Sequence, residues 1–408
     1  MGAIMNRVLA TAWLLMLSFA CALSGTGQAL AWDGTLAKAR GQTVYFHAWG
    51  GGPEINAYIG WAAEQLFNRF GVKLEHVRIA DAADSVARIL AEKAAGRTSG
   101  GAVDLIWING ENFSAMKREG LLRDDAWAEA LPSRIHTGAQ DRPILLYDFT
   151  VPVEGQESPW GLAQFIFYYD SAVVAEPPST LEDLALWIAA NPSRFTYAAP
   201  PNFIGTTFLK QVLLGLVADP AALSVPVDEA DFAAVSNPLW AWLDRVHPDL
   251  WRSGRVFATD TTHLRTLLSD GEIDIAMSFN PAEASAAIAS DLLPDTVRSF
   301  VLDYGSLGNA HFLAIPFNAS APEGAMVVAD FLLSPEAQAR KADEALWGDP
   351  TVLDYERLNA EGQALFDSLS FGPATLPISE RGEVLPEPHP SWTEALEREW
   401  QWRYAAGG

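Results

Sequence analysis

The sequence predicts an α/β protein built in two lobes, each a mixed, mostly parallel sheet flanked by helices. Two observations carry this. The chain has 408 residues, 49% of them hydrophobic and 11% aromatic, which is enough to bury more than one core. Strand-like and helix-like runs alternate along most of its length, the pattern of parallel strands joined by covering helices.

The first unit is Val44–Trp49, strand-like, followed by the turn Gly50-Gly51-Gly52 and a helix opening on Pro53, where a missing N–H costs nothing. Ile55, Ile59, Leu66 and Phe70 recur at helical spacing, and Gly71 is the expected stop. The pattern repeats: "VKLEHVRIA" as strand, "DSVARILAEKAAG" as helix, "AVDLIWI" as a buried strand, and "NGENFSAMKREGLL" as the next helix. A proline- and glycine-bearing segment, "TVPVEGQESPWG", marks a crossover. Beyond it, "LAQFIFYYD", "STLEDLALWIAA", "FTYAAPPNFIGTTFLKQVLLGLV" and "GEIDIAMSFNPAEA" supply a second α/β set. Ser334-Pro335-Glu336 has the cap, proline and carboxylate of a helix start, and Ser391 with Glu394 has capping-box spacing.

Residues 1–31 have the form of a secretory leader: Arg7, an apolar run from Val8 to Leu23, and Ala29-Leu30-Ala31 as a small-x-small cleavage site. A retained anchor is the alternative, but the run is shorter than the roughly 20 residues a spanning helix needs. Cys21 is the only cysteine, so the mature chain would hold no disulfide; lipidation at Cys21 lacks the usual leucine in Ser18-Phe19-Ala20. The formal net charge is −24, and loss of Arg7 with the leader makes the mature chain more acidic still. Phosphate backbones repel such a chain, so nucleic acid is not an expected partner.

These stretches resemble the periplasmic solute-binding proteins of ABC importers, most closely the YnjB-type branch. The resemblance rests on "GQTVYFHAWGGGPEINAYI", "LAEKAAGRTSGGAVDLIWINGENFSAMKREGLL", "SPWGLAQFIFYYD", "FLLSPEAQ" and "EPHPSWTEALEREWQWRY", in that order over nearly the whole mature chain. It implies a two-lobed clamshell that closes on a small solute, works in the periplasm and docks on a membrane permease driven by a separate ATPase. The segments expected are 1–31 as leader, 32–155 with 282–335 as the first lobe, and 156–281 with 336–408 as the second. It supplies no substrate.

Ligands in α/β sheets sit beyond the carboxyl ends of strands, which directs attention to the turns. Gly50-Gly51-Gly52-Pro53-Glu54 lacks the lysine and hydroxyl of a phosphate loop and the spaced glycines of a dinucleotide fingerprint. Gly50 and Gly51 are candidates as a helix mouth beside the ligand, and Trp49 as an aromatic face for a cation or sugar. The bland reading is a tight turn and core filling. Asn109, Glu111 and Asn112 form a second polar strand end, more than a helix cap requires. Asn202, Thr206, Thr207 and Asn280 are the corresponding candidates in the second half, with Tyr304 and Asn309 as further ones; each could be simple turn chemistry.

No catalytic residue, metal site or cofactor is called for. The seven histidines are scattered, and "DYGSLGN" has the wrong glycine offsets for a nucleophile elbow. Two other functions stay open. Tyr168-Tyr169 raises a ferric-ion binding protein, against core packing in "FIFYYD"; fifteen tryptophans and abundant carboxylates raise a secreted carbohydrate-active hydrolase. For the solute itself, Trp49, the pocket acids and the overall acidity put organic cations or thiamine-like heterocycles first, and sugars second. Nothing indicates oligomerisation, so a monomer is expected.

Overall fold

The computed structural model describes residues 31–377 and 380–405. The leader expected at 1–31 lies, Ala31 apart, outside the described residues. Strand β1 (Thr43–Trp49) leads through the glycine turn into helix α1 (Pro53–Phe70). That helix starts on Pro53, buries Ile55, Tyr58, Ile59, Ala62 and Leu66 as one stripe, and stops where Gly71 takes φ 69°. Then come β2 (Lys73–Ile79), α2 (Ala82–Ala94), whose first turn is capped by Asp81, β3 (Leu105–Ile108) and α3 (Gly110–Arg118).

Both β2 and β3 run parallel to β1, so their carboxyl ends share one edge. A small hairpin, β4 (Tyr147–Asp148) and β5 (Val151–Pro152), precedes β6 (Glu157–Gln164). From β6 the chain passes directly into β7 (Ile166–Asp170), the middle strand of a second sheet with β8 (Ile275–Ser278) and β9 (Val297–Phe300). It returns through β10 (Ser306–Ala314), which lies antiparallel to both β3 and β6. Near the end, β11 (Val384–Leu385) pairs with the start of β10.

Two cores match the two sheets. Phe46, Ile59, Leu66, Leu105, Trp160, Leu313 and Phe331 pack in the first. Phe167, Leu184, Phe208, Leu243, Ile275 and Leu302 pack in the second, together with Trp392, Leu396 and Trp400 of the C-terminal helix Ser391–Trp400. The C-terminal helix thus packs in the second core.

Three details correct the sequence reading. In the second sheet β7 pairs antiparallel with both neighbours, whereas a mostly parallel sheet was expected. The reason is topological: strands of βα units point toward the gap, while β7 enters from it. The segment boundaries move as well. Strands β6 and β10 pair with each other, and β9 belongs with β7, so the chain crosses at Phe165 and at 301–305 instead of near 155 and 281. Residues 336–358 stay with the first lobe, where Ala337 and Trp347 join its core. Proline and glycine mark local turns, but sheet membership is set by partners far away in sequence. Finally, Ser391 and Glu394 form no capping box, because the Ser391 hydroxyl accepts from the Val227 N–H at 2.9 Å.

Candidate functional site

At the first-lobe edge, the register sets Trp49 beside Ile79, and the parallel ladder from Phe46–Leu105 brings Asn109 to the same edge. Trp49 is 42% exposed, and its ring lies over Gly51, where an added Cβ would come within 2.3 Å of it. The Gly50 carbonyl accepts from Asn56 Nδ2 at 3.0 Å, so the turn is closed by its own helix. Glu54 on that helix faces Glu283 of the second lobe closely enough to help raise the Glu283 pKa, behind burial as the main cause.

Helix α3 begins in an unusual way. Asn109 holds the cap position without capping, and the Gly110 N–H donates instead to both carboxylate oxygens of Asp148, at 2.8 and 2.9 Å. Gly110 has φ 60°, and an added Cβ would stand 2.6 Å from the Phe149 ring. Both features demand glycine. Gly110→Ala is expected to cost about 2 kcal/mol or more from backbone strain and displacement of Phe149, read as a lower urea midpoint with an unchanged slope. Next to it, Glu111 is partly buried and accepts a long bond from Asn112 Nδ2, 3.4 Å, besides one from its own backbone N–H.

The second-lobe wall is helix α4 (Phe203–Leu216). Positions 203, 206 and 210 share one face by helical spacing. Phe203, 46% exposed, packs edge-on against Phe279 with ring centroids 5.3 Å apart. One turn on, Thr206 Oγ1 donates to Glu397 Oε1 at 2.7 Å. A further turn in, Lys210 Nζ donates to Glu387 Oε2 at 2.6 Å and lies 4.8 Å above the centre of the Phe149 ring. Asn309 Nδ2 donates to the other Glu387 oxygen at 2.8 Å. Lys210, Thr206 and the two C-terminal glutamates therefore meet Phe149, Asp148 and Glu111 of the first lobe.

The electrostatics of this meeting place are one-sided. Burial raises the Glu111 pKa; Lys210 opposes this, while Glu387 and Asp81 add to it. Glu397 is pushed up to about 7 by burial and by repulsion from Glu111, against the Thr206 bond. Burial likewise holds Asp148 well above the carboxylate range, and Glu157, buried beside it with both oxygens unpartnered, is raised by burial and by Asp148. Glu111, Glu387 and Glu397 gather around the Lys210 ammonium, while Glu157 is opposed by Lys117.

Not every expected residue comes to this place. Thr207 is fully buried and its hydroxyl donates to Phe203 O at 2.8 Å inside its own helix. Asn202 caps Ile204 N at 3.2 Å, and Asn280 Oδ1 accepts from Ala282 N at 3.0 Å, both as turn chemistry. The Tyr304 hydroxyl is engaged with Gln211 O at 2.6 Å, at the opposite end of α4 from Phe203. Tyr168 is fully buried in the second core and Tyr169 packs on Phe300, away from the acidic cluster. Sequence reasoning passed over Asp148, Lys210, Glu387 and Glu397. Only Lys210 left a signal: it is the single charge in the apolar run "FIGTTFLKQVLLGL".

Two sheets joined by crossing strands, with polar groups from both lobes meeting between them, define a two-lobed binding protein of the clamshell type. Residues 61–364 match the family model for bacterial extracellular solute-binding proteins, and the chain belongs to that family. It is 47% identical over 374 residues to protein YnjB of Escherichia coli (strain K12), covering 91% of this chain and 94% of that protein. Solved structures of the same fold include the spermidine/putrescine substrate-binding protein PotD from Streptococcus pneumoniae. It has 16% identity and a TM-score of 0.59, over 90% of this chain and 99% of that one. The periplasmic binding protein AfuA from Actinobacillus pleuropneumoniae, with fructose-6-phosphate bound, has 13% identity and a TM-score of 0.60, over 89% and 99%. The chain is thus an extracellular solute-binding protein by family, and it has the fold of the periplasmic binding proteins.

Proposed function

We propose that the solute is a small organic cation, held between Glu111 of the first lobe and Glu397 of the second, and handed to the permease by reopening. Fold cannot make this choice, since relatives of this fold serve a polyamine system and bind a sugar phosphate. The observation that carries the reading is the pair Glu111 and Glu397: two carboxylates from opposite lobes that raise each other's cost of ionisation, neither in an ion pair among the described residues. Trp49 and Phe203, exposed at the two walls, provide apolar faces for the body of such a solute.

The same pair supplies the closing mechanism. Without a cation, the facing carboxylates repel and oppose closure; a cation between them reverses the sign. Closure then follows solute binding because the ligand's contacts differ between open and closed states. Asn109, Asn112, Gly50 and Gly51 shape the first-lobe edge of this gap; Thr207 and Tyr304 support α4 from behind.

Titration of an aromatic-ammonium probe and of neutral sugars by calorimetry, at pH values from about 5.5 to about 8, tests the reading. Cation affinity is expected to rise through the pH at which Glu397 ionises, about 7, by at most about tenfold per unit for each proton displaced. The unliganded protein moves the other way. Its raised carboxyls bind more protons folded than unfolded between the ordinary glutamate range and about 7, so its melting temperature falls as pH rises through that window. Sugar binding with flat pH dependence, and no cation binding, would overturn the assignment.

A further inference from the structure

We propose that Lys210 fixes the charge number of the solute: its own ammonium fills one of two cation positions in the gap, leaving room for a single external positive charge. This rests on the organic-cation reading above and goes beyond it by assigning a monocation and naming the residue that excludes dications.

The first position is already built and occupied. A carboxylate and an aromatic face are the two groups that recognise ammonium ions, and Lys210 Nζ has both: Glu387 Oε2 at 2.6 Å and the Phe149 ring at 4.8 Å. The surroundings are prepared for a cation as well. Asn309 orients Glu387 through its Nδ2 at 2.8 Å, and the Oδ1 of the same buried amide has no partner. Lys210 and Glu387 are 2% and 3% exposed, so this ammonium is a fixed part of the interior.

The second position has the acids without the cation. Among the described residues, the side-chain bonds here are a long one from Asn112 to Glu111 and one from Thr206 to Glu397. Thr206 and Lys210 stand one helical turn apart on α4, so the backbone positions that carry the two sites are about 6 Å apart along the helix. That spacing suits the two ends of a short diammonium ion. In this protein one of those ends is replaced by the lysine, which repels a second external charge.

Calorimetric titration with butylammonium and with 1,4-diaminobutane tests this. The native protein is expected to bind butylammonium at least about tenfold more tightly than the diamine. Lys210→Met is expected to reverse the order, with a gain of about tenfold or more for the diamine and a change within about threefold for butylammonium. Lys210→Met with Glu387→Gln, which does not strand the Glu387 carboxylate, should keep the fold without gaining the diamine. Equal or tighter diamine binding by the native protein overturns the proposal whether or not the variants fold. So does a Lys210→Met protein that retains its melting transition and fails to gain the diamine. If neither probe binds the native protein, the organic-cation reading fails and takes this one with it; butylammonium binding with an unselective diamine result sinks this one alone.

Discussion

Glu111→Gln is expected to weaken binding of an organic cation by about 30-fold or more, near 2 kcal/mol, and the double variant with Glu397→Gln by about a thousandfold. Each change removes a partly desolvated charge while keeping the shape of the side chain. Glu111 stands first because, among the described residues, its side-chain partner is the long 3.4 Å contact from Asn112. The same substitution relieves repulsion from Glu397, Glu387 and Asp81 in the unliganded protein. Unliganded Glu111→Gln should therefore melt higher than the native protein near pH 8, and small-angle scattering should show it more compact. Opposite signs on affinity and on stability are the diagnostic result. A variant that loses both would make Glu111 structural, and cation affinity within about threefold of native would remove it from the site.

The other large effect lies under the first lobe's edge. Lys341 is fully buried and bonded to the Asp349 carboxylate and to the carbonyls of Asp349 and Pro350, at 3.1 and 2.9 Å. His311 Nε2 meets the same carboxylate at 3.1 Å. Around this group Trp107, Trp160 and Trp347 pack with ring centroids 4.8 to 5.9 Å apart. Lys341→Met is expected to cost about 3–5 kcal/mol, because it strands Asp349 in a desolvated position. Lys341→Met combined with Asp349→Asn should recover much of that, measured by urea unfolding. A single variant within about 1 kcal/mol of native would show that His311 alone satisfies Asp349.

The pH dependence of this group is opposite to that of the gap. Burial pushes the Asp349 carboxyl up, but His311 and Lys341 together outweigh it and hold the pKa below the usual aspartate value. A depressed carboxyl contributes stability that is present above its unfolded pKa and is lost as pH falls through the folded one. Acid unfolding below about pH 4 should thus be less steep in Asp349→Asn than in the native protein. Above that range, the gap's raised carboxyls dominate and stability declines toward alkaline pH.

Local chemistry made much of the first lobe legible. Pro53, Gly71 and the stripe from Ile55 to Leu66 define α1 by rules that act within a few residues, and the helix begins and ends where those rules put it. Trp49 and Glu111 are candidates because strand ends in α/β sheets are where side chains leave the core. The same local view misjudged Thr207 and Tyr304, whose hydroxyls bond to Phe203 O and Gln211 O. A hydroxyl near a turn looks the same in sequence whether it serves a ligand or its own helix.

What the sequence by itself determined was the class of fold, the family resemblance, the acidic character and the strand-end turns, because each depends on composition or on periodicity over short spans. Only the tertiary structure decided where the lobes divide and which charges meet. Glu387 reaches Lys210 across 177 positions of chain and Glu397 reaches Thr206 across 191. No local rule links residues so far apart. Their proximity follows from β11 pairing with β10 and the last helix packing on the second core, and desolvation there raises Glu111 and Glu397 above the ordinary carboxylate range.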